Sequence, residues 1–284
     1  MPTTPLALHH FTLCDVSPLE LVPIAAEVGC DGVCLFVESP PGFGFPLVTP
    51  AMRSELSARL RDHGVRVTNL EFFSLTEAVD LDGFRPALAL GAELGARLAV
   101  THIHEPDQAR ATDCLGRFAE LADEYGLQLG LEFMALTPGC TSLAAAAGFV
   151  ERVGRSNLGI GVDALHLART GGTPAEVAAL APGLIAYAQL CDGPLLPAGV
   201  EALDPARYAE EAFNRLPPGQ GVFPLAELLR ALPPAAALDV EVPMPRLAAQ
   251  GVSARQRARL AVEGARNLID ALARRTINND NNKR

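Results

Sequence analysis

Eight apolar runs of strand length, each followed by a segment of helical period, constrain this chain more than any other feature of its sequence. The runs are LALHHFTL (6–13), DGVCLFVES (31–39), RVTNLEFFSL (66–75) and RLAVTHIHE (97–105), then LQLGLEFM (127–134), NLGIGVDAL (157–165), LIAYAQLCD (184–192) and AAALDVEVP (235–243). Between them lie stretches such as SPLELVPIAAEVG, AMRSELSARLRDHG and DQARATDCLGRFAELADEYG, and the last is SARQRARLAVEGARNLIDALARR. Glycine, proline or a polar cluster marks each change of period. Strands alternating with helices pair in parallel, and eight such units over roughly 250 residues is the count of a (β/α)8 barrel. A doubly wound sheet would carry a glycine-rich phosphate turn after an early strand, and none is there. The expected fold is therefore α/β, a (β/α)8 TIM barrel, with one domain over 1–275. The polar end TINNDNNKR (276–284) carries no pattern and is expected to be disordered.

Composition narrows the function. A formal charge of −10 argues against binding along a nucleic-acid backbone, which needs a basic footprint. No run is long and apolar enough to span a membrane, and MPTTPLALHH lacks the charged and apolar regions of a signal peptide. A cytoplasmic protein with a small-molecule partner, and neither nucleic acid nor membrane, is the expectation. The six cysteines are scattered without a CxxC pair and read as reduced, mostly buried thiols.

In such barrels chemistry gathers at the C-terminal strand ends. Polar residues stand there in this chain: Glu71 on the third strand, His102 and His104 on the fourth, Glu132 on the fifth and Asp163 on the sixth. Gln189 and Asp192 follow on the seventh, and Asp239 and Glu241 on the eighth. Alternation then sorts the faces. Leu129, Leu131 and Phe133 supply the helix-facing side of the fifth strand, so Glu132 points inward with Gly130. By the same rule Asp163 goes inward with Gly159 and Gly161, Gln189 with Tyr187, and Glu241 with Asp239. Crowded buried carboxylates must take up protons unless a cation neutralises them, and no lysine stands in these strands. A shell of Glu132, Asp163, Gln189 and Glu241 suits one hard divalent ion, Mn²⁺ or Mg²⁺ ahead of Zn²⁺, with Co²⁺ also admissible.

The chain resembles the xylose-isomerase-like TIM-barrel superfamily, the sugar phosphate isomerase and epimerase group, from about residue 6 to 272. The resembling motifs are LGLEFM, NLGIGVDALHLARTGGTP, AYAQLCDGP, RLPPGQGVFPLAELLRALP and LDVEVP. The resemblance implies a metal shell at Glu132, Asp163, Gln189 and Glu241, and a substrate contact at His166 through the Asp-x-x-His motif. Family members include ketose 3-epimerases, inosose dehydratases and dehydroshikimate dehydratases, and their barrels often form dimers or tetramers. Two positions depart from the ketose epimerases: Gln189 stands where they have a metal histidine, and Leu195 where they have a substrate arginine.

The chemistry implied is proton transfer beside a carbonyl. A bound metal would polarise the carbonyl of a polyhydroxy substrate and stabilise the enediolate, while Glu132 and Glu241 remove and return the proton. That gives an isomerase or epimerase of a small sugar, ketose or cyclic polyol. Loss of a β-hydroxyl from the same intermediate gives the alternative, a dehydratase on an inosose- or dehydroshikimate-like substrate. His166 would bond or protonate a substrate hydroxyl, with His102, His104 and Glu71 extending the pocket. Arg207 and Arg215, in the long stretch after the seventh strand, offer forked donors to a substrate anion, against surface pairing with Glu210 and Glu211. That stretch is expected to cover the site.

Overall fold

The protein, here a computed structural model, is described over residues 4–39, 44–200 and 202–281. Eight strands close a barrel in chain order, each hydrogen-bonded in parallel to the next and the last to the first. They are β1 (Ala7–His9), β2 (Gly32–Phe36), β3 (Arg66–Leu75), β4 (Leu98–Ile103), β5 (Gln128–Glu132), β6 (Leu158–Asp163), β7 (Ile185–Leu190) and β8 (Ala237–Val240). Every strand lies inside one of the eight apolar runs, and helices separate them as the change of period predicts.

Three local readings are corrected. The first run is strand only as far as His9, because the His9 ring accepts the Phe11 N–H and turns the chain into the 3-10 helix His10–Leu13. Glu71 does not end the third strand: β3 continues to Leu75, with a register shift between Leu70 and Phe73 against β4. Glu241 lies one residue past β8, held by its N–H to the Leu190 carbonyl. The last helix, Ala254–Asn281, continues into the polar segment after residue 275, and residues 282–284 lie outside the described ones.

The outward strand faces, among them Leu129, Leu131, Ile160, Val162, Leu190 and Val240, are buried under the helices in one continuous core. Inside the lumen Leu98, Val100 and Tyr187 form a separate small cluster. Two glycines make room for it. A β-carbon at Gly130 would lie 2.6 Å from the Tyr187 ring and one at Gly161 2.4 Å, closer than packed atoms can sit. The ring thus crosses the barrel one layer below Glu132 and Asp163, which explains the Gly-x-Glu and Gly-x-Asp spacing of β5 and β6. Among the described residues no helix is long and apolar enough to cross a membrane.

Candidate active site

Asp163 has two tasks. It ends β6 and is also the N-cap of the helix Ala164–Arg169, where its Oδ1 accepts the His166 N–H at 2.9 Å. A cap reaches the third helical residue, so the three-residue spacing that looks wrong for a strand is the spacing of a helix start. The turn delivers the His166 ring to Glu132, with Nε2 3.4 Å from Oε1.

Glu132 is the hub. Its Oε2 accepts from the Tyr187 hydroxyl at 3.0 Å and lies 3.1 Å from His102 Nε2. On the far side of His166, Nδ1 meets the Tyr208 hydroxyl at 2.6 Å, and that hydroxyl accepts the Ala135 N–H at 3.4 Å. Tyr208 donating to Nδ1 would place the ring proton on Nε2, toward Glu132. Tyr208 belongs to the helix Pro205–Ala212, inside the long segment between β7 and β8. Nitrogen-15 NMR of His166 at pH 7 should therefore show the Nε2–H form, and Tyr208→Phe should shift it toward a mixture and cost about tenfold in turnover. An Nδ1–H form in the unaltered protein would contradict this arrangement.

Arg215 is fully enclosed. Its Nη1 donates to Asp163 Oδ2 at 2.6 Å and to Glu241 Oε2 at 3.0 Å, and its Nε to the Ala212 carbonyl at 3.0 Å. The expected surface pairing with Glu210 and Glu211 is absent: Glu210 pairs with Arg246 and Glu211 with Arg169. The segment turns inward because Asp192 and Leu216 exchange backbone hydrogen bonds and the Arg215 N–H reaches the Pro243 carbonyl. Asp192 itself accepts from the Gly193, Gly219 and Phe223 N–H groups, so it holds the Pro-Pro-Gly-Gln-Gly turn in place and does not enter the cavity.

His9, Glu71, His102, His104, Glu132, His166, Arg215 and Glu241 line one cavity of about 420 Å³ at the C-terminal end of the barrel. Residues of the β7–β8 segment, Ala209, Ala212, Phe213 and Arg215, form one side, so this segment covers the site. Asp163 and Gln189 lie beneath it, in register with each other on β6 and β7. Below them Asn69 donates to Asp239, the register partner of Gln189 on β8.

Burial sets the electrostatics. It pushes the carboxyls of Glu132 and Glu241 up to about 8, against the pull of Arg215. Asp163 is equally buried, yet Arg215 and His166 beside it bring it down to about 2. Burial also lowers His102 to about 4 and His166 to about 3, so both rings are neutral near pH 7. A carboxyl raised from 4.5 to about 8 binds more protons folded than unfolded between those values, so stability falls as pH rises through that window. The depressed histidines act in the opposite sense, but only below their unfolded value of 6.5. From pH 6.5 to 8 the carboxyl effect stands alone, and EDTA-treated protein should lose on the order of 5 °C in Tm. A flat or rising Tm would contradict the burial of these groups.

The donor set fits a divalent cation. Carboxylate oxygens of Glu132 and Asp163 lie within 4.8 Å of each other. The side-chain oxygen of Gln189 is buried with no hydrogen-bond partner, an acceptor left over for a ligand. Five acids, Glu71, Glu132, Asp163, Asp239 and Glu241, are buried in the barrel, and Arg215 is ion-paired with two of them, Asp163 and Glu241. His9, Cys34 and Glu71 form a close trio, but the Phe11 N–H on His9 Nδ1 puts the ring proton on Nε2, which lies 3.2 Å from Glu71. That nitrogen has no lone pair to offer an ion.

The profile of the family described as xylose isomerase-like TIM barrel matches residues 22–271. The chain belongs to the xylose isomerase-like TIM barrel family. Among curated relatives, a 3-dehydroshikimate dehydratase of Pseudomonas aeruginosa is 32% identical over 134 residues, 47% of this chain and 20% of that protein. The chain thus spans about a fifth of the relative it matches. Among solved structures, a xylose isomerase-like TIM barrel/4-hydroxyphenylpyruvate dioxygenase fusion protein aligns with TM-score 0.76 and 21% identity, over 93% of this chain and 42% of that one. The IOLI protein with a binding zinc atom gives 0.76 and 18%, over 94% and 99%. D-Psicose 3-epimerase with D-tagatose from Clostridium cellulolyticum H10 gives 0.71 and 13%, over 94% and 99%. At these identities the structures establish the shared fold.

Within this xylose isomerase-like barrel, Glu71, His102, His104, Glu132, His166, Arg215 and Glu241 line the cavity, whereas Asp192 stays outside it and Arg207 pairs with Asp204 at the surface. Strand alternation gives Tyr187 an inward face but no role, and His9, Tyr208, Asn69 and the phenylalanines around the cavity were passed over. His9 carried a signal, since it shares the inward parity of Ala7; Tyr208 carried none, since the helix holding it approaches the site through tertiary packing alone.

Proposed function

We propose that this protein is a divalent-metal-dependent isomerase or epimerase of a small polyhydroxy carbonyl compound, with Glu132 and Glu241 as the proton-transferring groups. One observation carries the reading: two buried carboxyls, Glu132 of β5 and Glu241 just past β8, line one cavity, where both can act on one bound substrate. Glu132, Asp163, Gln189 and Glu241 would hold the ion, Mn²⁺ being the expected occupant, and the ion when bound would polarise the substrate carbonyl and acidify the neighbouring C–H.

The chain's own groups supply the rest. Glu132 is oriented by Tyr187 and His102, so its carboxyl plane is fixed before substrate arrives. His166 presents Nε2–H as a donor to a substrate oxygen, and its depressed basicity keeps it neutral. Arg215 anchors Glu241 on the other side of the cavity. A proton taken by one glutamate and returned by the other inverts a carbon, and its return to the neighbouring carbon moves the carbonyl.

The sequence relationship to a 3-dehydroshikimate dehydratase favours a second reading, a lyase in which the same proton removal is followed by loss of a β-hydroxyl. His166 would then protonate the leaving oxygen. Proton NMR in D₂O with Mn²⁺-loaded protein separates the two over a panel of ketoses, inososes and 3-dehydroshikimate. The isomerase reading expects deuterium at carbon beside the carbonyl with no loss of oxygen. A new alkene signal would favour the lyase, and no exchange with any compound would overturn both.

A further inference from the structure

The cavity has a polar floor and a phenyl wall. Phe11, Phe36, Phe45, Phe72 and Phe213 line it together with Met134. These rings hold one another: Phe45 stacks on Phe36 at 4.3 Å and 8°, Phe11 stands edge-on to Phe45 at 5.7 Å and to Phe213 at 5.0 Å, and Phe72 meets Phe45 at 5.8 Å. Phe72 also lies 4.8 Å from the His102 ring, so the apolar wall begins directly beside the acid–base groups. Interlocked rings form a rigid apolar surface before any ligand binds. A substrate hydroxyl pressed against it would lose water and gain no partner, while a C–H edge would lose nothing.

Charge points the same way. Arg215 is the one guanidinium lining the cavity among the described residues, and its charge is met twice, by Asp163 and by Glu241. The sequence holds a single lysine, Lys283. An anionic substituent on the wall side would face aromatic rings and, among the described residues, no unpaired guanidinium.

Resting on the proton-transfer reading above, we infer that the substrate is uncharged and has an apolar edge, as in a deoxy or methyl-ended sugar, which lies on the phenyl wall while its carbonyl and hydroxyl oxygens face Glu132, His166 and Glu241. A phosphorylated sugar is excluded by the same wall.

Three ligands on one carbon frame test this: 6-deoxy-D-fructose, D-fructose and D-fructose 6-phosphate, with dissociation constants measured on Mn²⁺-loaded protein by titration calorimetry. The 6-deoxy compound should bind about tenfold tighter than D-fructose, the scale of discrimination an apolar pocket gives, and the phosphate at least about a hundredfold weaker than the 6-deoxy compound. Phe45→Ser, in a loop, should bring the deoxy preference near one, and Phe72→Leu should reduce it partially. Equal or tighter binding of the phosphate, no deoxy preference, or no binding by any of the three would overturn the inference. Deuterium exchange on the same samples keeps the two readings apart. Selective binding without exchange leaves the substrate class standing and removes the proton-transfer reading, whereas exchange without selectivity does the reverse.

Discussion

Glu132→Gln is expected to lower solvent-deuterium uptake into substrate by at least about 10³-fold while leaving the barrel folded. The amide has the shape of the carboxyl, and its oxygen still accepts from Tyr187 and His102, so the layer above the Tyr187 ring keeps its packing. It has no basic oxygen. Glu132 is also the carboxylate that His166 faces, through a ring whose other nitrogen is already bound to Tyr208. A residual rate within tenfold of the unaltered protein would remove Glu132 from the chemistry.

Arg215→Met is expected to destabilise the metal-free protein by about 3–5 kcal/mol, read by urea unfolding at pH 7 with EDTA. Methionine fills part of the stem's volume but leaves Asp163 and Glu241 without the cation that contacts both. Asp163, held at about 2 by Arg215 and His166 against the effect of burial, must rise or remain charged and unpaired. Either course costs stability. The loss should shrink when divalent metal is added, since an ion on Asp163 and Glu241 takes over part of the neutralisation. A loss under about 1 kcal/mol would show that the guanidinium is incidental to the site.

The period of the hydrophobic pattern determined the fold because a parallel barrel buries both strand faces and leaves little freedom in order or hand. Glu132, Asp163, Gln189 and Glu241 were legible because strand alternation and the glycines below them specify an inward face. The role of Arg215 was not. Its sequence neighbours Glu210 and Glu211 suggested a surface pair, and only the backbone bonds of Leu216 to Asp192 and of Arg215 to Pro243 turn it inward. Tyr208 and the phenyl wall were hidden for the same reason: they reach the cavity from segments far apart in sequence, and no local period records that. The Asp163 to His166 spacing could be read halfway, as a departure from strand geometry; the cap that explains it forms where the end of β6 turns directly into a helix.

The acids of β5, β6 and β8, with Gln189, are expected to hold one divalent ion that replaces protons. Calorimetric titration of Mn²⁺ into EDTA-stripped protein at pH 7, repeated in two buffers of different ionisation enthalpy, measures both stoichiometry and proton release. One ion per chain and release of between one and two protons are expected, because Glu132 and Glu241 are held up to about 8 without metal. Binding should collapse in a Glu132→Gln, Glu241→Gln double variant. No binding, or binding without proton release that persists in the double variant, would contradict it.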